Sequence, residues 1–412
     1  MSAVTTSPSD FTRQIKPTGH DFSALHKRMQ WYIDQEITSC CMSLVLNGLD
    51  IVDYKTFGYM DLETRTPLRD DAIYRMYSNT KIVTSVAAMM LLERGAYKLD
   101  DPLENYLPEF ANMQVLNDNA TSLTDTQPAT RSITPRHLLS HSAGLSYGFI
   151  EPESVIDAAY LGGGINILGD YDETLAQLSE RLGSFPLVYN PGTQWRYSFA
   201  TDVTARLVEV LSGETFDVFL AENIFAPLGM TDTGFFVPEE KQDRFVTMYA
   251  GVDPLDPMQP GLVKADDPHT GIYAKPRKLL SGGGGLVSTT QDYLTFIRSI
   301  INGGEWQGTR LLQTKTLETM RTNQLAAGVG VAFPMWAMPG TVFGLGFALR
   351  NEVTGEDHAQ AKDEYFWGGM AGTHTWMAPN ANLNGLCFTQ RMPGFWHPFS
   401  HEFRSHAYAS LD

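Results

Sequence analysis

Residues 82–92, IVTSVAAMMLL, constrain the fold more than any other stretch of this 412-residue chain. Every position is apolar or small except Thr84 and Ser85. A helix that is apolar on every face has no side to offer water, so it must run through the interior with other elements packed around it. Gly95 is a natural stop for it. Ser78, Asn79, Thr80 and Lys81 stand immediately before it, so whatever chemistry they carry is delivered by the end of a central, buried helix. The run is too short to cross a bilayer, and no other apolar run in the sequence reaches that length.

Strand signals gather at the two ends of the chain. MSLVLNGLDIVDYKTF (42–57) gives two β-rich runs about Asn47-Gly48, which predicts a hairpin. TVFGLGFALRN, DEYFWGGM, THTWMAP and GLCFTQR repeat the pattern after residue 340. Between about 100 and 265 helical patterns prevail, as in TPRHLLSHSA, DETLAQLSERL and TDVTARLVEVLSG. A helix is expected near Asp21–Gln35, another from Thr289 with Leu294, Ile297 and Ile301 on one face and Gly303 as its end, and a last one near Pro398–Leu411. The regular β-α alternation of a doubly wound parallel sheet is missing. The expectation is an α/β protein of the α+β type. Residues 21–77 and 270–412 form one domain built from both ends of the chain, and 78–269 form an inserted, mainly helical domain. Residues 1–20 read as a flexible arm rich in Ser, Thr, Pro and Gly.

The balance of charge narrows the partners. With 47 acidic against 30 basic residues the formal net charge is −17. That argues against nucleic acid and against an anionic membrane surface, both of which are held by Lys and Arg. Three cysteines, Cys40, Cys41 and Cys387, with no C-x-x-C pattern, fit a reducing compartment. The N-terminal stretch has no apolar secretory core, and the expected setting is the cytoplasm.

Two serines compete as nucleophile. GLSYG (144–148) matches G-x-S-x-G, the elbow of α/β-hydrolases, which needs a strand before the serine and a helix after it. The residues before Ser146, SITPRHLLSHSA, read instead as a short helix opened at Pro135, and GGG occurs only downstream, at Gly162–Gly164. Ser146 is therefore expected in a turn. Ser78 and Lys81 form S-x-x-K at the mouth of the apolar helix. At i and i+3 a hydroxyl and an ammonium share a helical face. The helix N-terminus favours negative charge on oxygen, and burial depresses a lysine toward the neutral form that can accept a proton. Metal chemistry has little support, since His401 and His406 of HEFRSH fall on different helical faces. SGGGGLVS lacks the strand and lysine of a phosphate loop and reads as a turn, and no cofactor is implied.

The order of YSNTKIVTSVAAMMLLERG, TPRHLLSHSAGL, PGTQWRYSFATDV, GGGGLVSTTQDY and FWGGMAG resembles the serine β-lactamase superfamily, in particular its class C-like carboxylesterases, the family VIII esterases. The resemblance runs from about Asp21 to the C-terminus. It implies a β-lactamase-like fold, an antiparallel sheet flanked by helices plus the inserted helical domain, with the active site between them. It implies Ser78 as nucleophile, with Lys81 and Tyr197 as a coupled base pair sharing one proton. The backbone N–H groups of Ser78 and Met370 become the oxyanion hole. Trp367, Gly368 and Gly369 take the place of the K-T-G motif of β-lactamases, with Trp367 lining the pocket. Tyr147, Phe199 and Asp202 become accessory substrate-binding positions. A literal Y-x-N at Tyr77–Asn79 overlaps the nucleophile and is set aside, and the HTG at His269–Gly271 comes too early in the order.

Two departures bear on substrate. Without the K-T-G lysine a cation for a β-lactam carboxylate is lost, and Phe199 stands where Y-x-N has an amide. Both favour uncharged, short-chain carboxylic esters over efficient β-lactam turnover and leave weak β-lactam hydrolysis open. An acyltransferase using the same residues, and a β-lactamase or penicillin-binding protein, are the alternatives.

Overall fold

The computed structural model describes residues 11–165, 172–334, 336–355 and 357–411. The first ten residues of the expected arm lie outside that set. From Phe11 the segment is docked: Phe11–Gln14 forms a helical turn, and the fully buried Phe11 ring meets Tyr54 with centroids 4.4 Å apart. An aromatic ring removed from water on this scale anchors a terminus that its polar neighbours would leave loose.

The main sheet is antiparallel and drawn from the two ends of the chain, β1 (Cys40–Asn47), β2 (Asp50–Asp61), β3 (Thr66–Pro67), β4 (Thr341–Phe343), β5 (Ala348–Arg350), β6 (Tyr365–Gly368), β7 (Thr373–Ala378) and β8 (Leu383–Phe388). Its order is β4-β5-β6-β7-β8-β1-β2-β3. The N-terminal hairpin thus docks directly on the last strand, with Met42 opposite Phe388 and Leu44 opposite Leu386. The β1–β2 turn falls one residue later than the Asn47-Gly48 signal places it. Asn47 pairs with Asp50, leaving Gly48-Leu49 as the loop, with Gly48 at φ 58°.

β1 reads CCMSLVLN without polar alternation because both of its faces are covered. Successive side chains point to opposite faces. Cys41 and Val45 meet Leu25, Met29 and Tyr32 of α1 (Ser23–Asp34) and Phe399 and Phe403 of α5 (Pro398–Ala409). Met42, Leu44 and Leu46 join the larger core, with α2 (Thr80–Glu93) and α4 (Thr290–Ile301). Each such fully buried side chain contributes about 1.5–3 kcal/mol. The three cysteines are buried and free.

α2 is the interior helix that its composition requires: Thr80 to Leu91 are all buried. Its polar breaks are satisfied locally. Thr84 donates to the Thr80 and Gly282 carbonyls at 3.1 and 2.8 Å, and Ser85 donates to Lys81 O at 2.8 Å. Gly95, at φ 75°, follows its end. The middle of the chain contributes Pro135–Leu139, Leu175–Gly183 and α3 (Ala200–Ser212). It also contains a hairpin the sequence did not reveal, Met248–Gly251 with Leu262–Asp266, joined in parallel by Arg391–Met392. A second unexpected pairing, Ile73–Arg75 with Val287–Thr289, lays the glycine run 282–285 beside the start of α2. Among the described residues no helix is long and apolar enough to cross a membrane.

Candidate active site

Ser78 lies in a single 3₁₀ turn, Tyr77–Asn79, that leads directly into α2. Three hydrogen bonds from two segments hold the turn. Met76 N donates to Leu286 O at 2.9 Å, Asn79 Nδ2 donates to Thr373 O at 3.0 Å, and Thr373 Oγ1 donates to Met76 O at 3.0 Å. Tyr77 adopts φ 42°, a left-handed conformation that an aromatic residue enters only where its surroundings impose it.

Lys81 follows one turn later with its ammonium buried. Nζ donates to Ser78 Oγ at 3.2 Å, to the Tyr147 hydroxyl at 3.0 Å and to Gly283 O at 2.7 Å. Burial lowers its pKa to about 7, against the partial support of the Asp202 charge. Asp202, in the first turn of α3, is itself buried. It accepts from Ser281 Oγ at 2.5 Å and Gly283 N at 3.1 Å. Burial raises its carboxyl above the ordinary range, and Lys81 pulls it down.

Tyr197 is brought to the same point. Its ring lies under Lys81 Nζ, 4.5 Å from the centroid, and its hydroxyl accepts from Trp367 Nε1 at 3.1 Å. Burial raises the phenol above its ordinary value, and hydrogen bonds with Ser78 and Trp367 oppose that rise. Burial thus pushes both neighbours toward their neutral forms, the amine of Lys81 and the phenol of Tyr197.

The remaining expected residues divide by position. Tyr147, Phe199 and Met370 line one cavity with Ser78 and Tyr197, of about 280 Å³, walled also by Phe149, Phe333, Trp336 and Phe395. Trp367, expected in the lining, is only 1% exposed. It is wedged among Tyr197, Phe343 and Phe395 with ring centroids 5.0–5.4 Å away, so it stands behind two residues of the wall, Tyr197 and Phe395. Gly368 and Gly369 also stand behind the wall. A Cβ on Gly369 would lie 2.3 Å from both Met76 O and Thr373 Oγ1, and one on Gly368 2.4 Å from His374 Nδ1. These glycines let the end of β6 and the residue after it close against the turn that bears Ser78. Asp202 sits beneath Ser281 and Gly283, touching Lys81 only through its field.

Two contributors escaped the sequence reading. The glycine run is part of the site: Gly283 supplies the carbonyl that takes Lys81, and a Cβ there would meet Asp202 Oδ2 at 2.5 Å and the Tyr147 hydroxyl at 2.9 Å. Four consecutive glycines were the available signal for that close approach. His141 packs on Tyr197 with centroids 4.9 Å apart, and its carbonyl accepts from Arg196 N at 2.9 Å, which fixes the tyrosine's loop. Burial, then the charge of Lys81, lowers its pKa well below the ordinary histidine value.

Ser146 is elsewhere engaged. It is fully buried, donates to Asp157 Oδ1 at 2.5 Å and accepts from Arg196 Nε at 2.7 Å. No strand leads into it, since the helix Pro135–Leu139 and a turn at Gly144 (φ 86°) precede it.

The beta-lactamase family profile matches residues 42–405. Protein Rv1367c of Mycobacterium tuberculosis is 32% identical over 377 residues, covering 87% of this chain and 88% of that protein. Esterase EstB of Burkholderia gladioli is 28% identical over 398 residues, 92% of each. Among solved structures, EstCE1, described as a hydrolase with promiscuous acyltransferase activity, superposes with a TM-score of 0.78 at 25% identity, over 94% of this chain and 99% of that one.

Proposed function

The chain belongs to the beta-lactamase family and is a serine hydrolase or acyltransferase of that fold, and on that premise we propose that it is a short-chain carboxylesterase working through an acyl-enzyme on Ser78. The observation that carries this reading is the placement of Lys81, buried and poised near pH 7, within hydrogen-bond reach of Ser78 Oγ. A general base is most effective with its pKa near the working pH.

In the proposed course, Ser78 Oγ attacks the ester carbonyl and its proton passes to the Lys81 amine. The carbonyl oxygen becomes an oxyanion facing the backbone N–H groups of Ser78 and Met370. The C–O bond to the alcohol breaks as Tyr197 gives the departing oxygen its phenolic proton, which the Lys81 ammonium restores. Water then attacks the acyl carbon, gives up a proton through the same pair, and Ser78 is released as the hydroxyl. Tyr147 and Gly283 hold Lys81 in line, and Trp367 holds Tyr197.

The aromatic wall favours a second outcome for the acyl group. Phe149, Phe333, Trp336 and Phe395 give an alcohol more contact than they give water. An added alcohol is therefore expected to divert part of the acyl-enzyme into a new ester. The primary test is hydrolysis of p-nitrophenyl butyrate by Ser78→Ala and Ser146→Ala. Loss of turnover in the first and its retention in the second is the expected result. The opposite pattern would overturn the reading. Nitrocefin measured alongside separates esterase from β-lactamase, and a stoichiometric burst without turnover would mark a penicillin-binding module instead.

A further inference from the structure

Two rings of the cavity wall have a second cavity behind them. Trp336 and Phe395 line the space over Ser78, of about 280 Å³, and also a smaller one of about 40 Å³. Their ring contacts run both ways. Phe395 meets Phe333 at 6.0 Å on the Ser78 side, and Trp367 at 5.0 Å and His374 at 5.9 Å on the far side. Trp336 meets Phe333 at 5.8 Å on the near side and His401 at 6.0 Å on the far side. The two rings cross edge to face, 5.7 Å apart. Together they form a partition one side chain thick.

The partition is held in register with the proposed reaction centre. Gly394 N donates to Met370 O at 2.6 Å, and Gly394 O accepts from His374 Nε2 at 3.1 Å. Phe395 thus follows directly on a backbone pinned to Met370, the proposed oxyanion donor. The far cavity is fit for an apolar chain. Met338, Phe366 and Trp376 give it apolar surface. Arg404 on its wall is occupied by Glu364 at 2.8 Å and Asp357 at 3.1 Å. Burial lowers His374 to about 3 and His401 to about 4, so both are neutral near pH 7.

An aliphatic chain running from Ser78 toward this wall is stopped by two rings, with apolar space beyond them. We propose that Phe395 and Trp336 are specificity residues that set the chain length of the ester, by closing the Ser78 cavity off from the apolar cavity behind them. This inference rests on the esterase reading and deepens it, placing the short-chain limit in two side chains. Without either ring the two spaces join, and each further methylene of a longer chain gains by leaving water.

The limited arm can be the acyl chain or the alcohol, and two ester pairs distinguish them. p-Nitrophenyl butyrate against p-nitrophenyl octanoate varies the acyl chain. Butyl acetate against octyl acetate, followed by acid release, varies the alcohol. The wild-type protein is expected to prefer the shorter member of at least one pair, by about tenfold or more in kcat/KM. Phe395→Ala and Trp336→Ala should each raise the long-to-short ratio of that pair about tenfold. Adding Ser400→Leu to Phe395→Ala fills the far cavity, which Ser400 lines, and should return the ratio toward the wild-type value. That reversal separates a joined cavity from a loosened site. Phe395→Leu should raise the ratio by less, and it keeps the test valid should the alanine variants fold poorly. Wild-type protein without length preference in either pair overturns the inference. So does a ratio that no single variant moves, or one that stays raised in the double variant. If Ser78→Ala still hydrolyses the short esters, the esterase reading itself falls. If hydrolysis depends on Ser78 and the ratio does not move, only the role of the partition does.

Discussion

The ammonium of Lys81 donates to the Tyr147 hydroxyl over 3.0 Å, a shorter contact than the 3.2 Å it makes to Ser78 Oγ. The tyrosine of the GLSYG turn is therefore a direct neighbour of the lysine, and more than an edge of the pocket. A phenol oxygen that accepts from an ammonium favours the charged form of the lysine. Tyr147→Phe keeps the ring packing on Phe199 (centroids 4.4 Å apart) and removes only that acceptor. We expect kcat/KM to fall about 10-fold or more, with the acid limb of the pH profile moved to lower pH. An unshifted limb would mean that this contact does not tune Lys81.

Activity should rise with pH through about 7. The sign follows from the group: a depressed lysine is protonated, and unable to act as base, below its own pKa, and neutral above it. Asp202 raises that pKa, so Asp202→Asn is expected to move the acid limb downward. The pH dependence of kcat/KM on p-nitrophenyl butyrate checks both statements. A limb that moves upward on losing Asp202 would contradict the assignment of Lys81 as the titrating base.

Ser146→Ala should spare catalysis and cost stability. It removes a donor to buried Asp157 and an acceptor for Arg196, within a network that also joins Arg196 to Glu151 at 2.7 Å. Unsatisfied buried groups of this kind cost about 1–3 kcal/mol each. A lower urea midpoint with an unchanged slope is the expected signature.

Trp367→Phe tests the support of Tyr197. The ring stays large enough to fill the space, while the N–H that donates to the phenol oxygen is lost. We expect kcat to fall about tenfold, or ~1.4 kcal/mol of barrier, with KM nearly constant. A change confined to KM would indicate that Trp367 shapes the pocket instead.

Gly369→Ala should be far more damaging than a single methyl suggests. The added carbon would press on Met76 O and Thr373 Oγ1, two atoms that hold the turn bearing Ser78. Overpacking costs about 1–3 kcal/mol, and a displacement of the turn by even part of an ångström should lower kcat about 100-fold.

What the sequence disclosed follows from how local each signal is. α2, with Ser78 and Lys81 at its entrance, was legible because an all-apolar helix admits one placement and i, i+3 spacing fixes the pair. The strands after residue 340 were legible by composition. Ser146 was dismissed on local grounds too, a helix standing where an elbow needs a strand. Contacts between distant segments left weaker traces. Gly283 reaches Lys81 only because Ile73–Arg75 pairs with Val287–Thr289, and those strands are three residues long. Trp367 was expected at the surface of the pocket, yet its register in β6 turns it toward Tyr197 and Phe343.

The pairing of β1 with β8 has a consequence for how the molecule comes into being. Met42 finds its partner at Phe388, so a chain emerging from the ribosome carries the β1–β2 hairpin with one long edge open until the strand around Phe388 has been made. Such distant closure makes for slow, late-committing folding. The turn that bears Ser78 is clamped by Thr373 on the neighbouring strand, so it is set only after the sheet closes. Enzymatic activity would then appear last during refolding, after helix content has recovered, and would time the closure of the sheet.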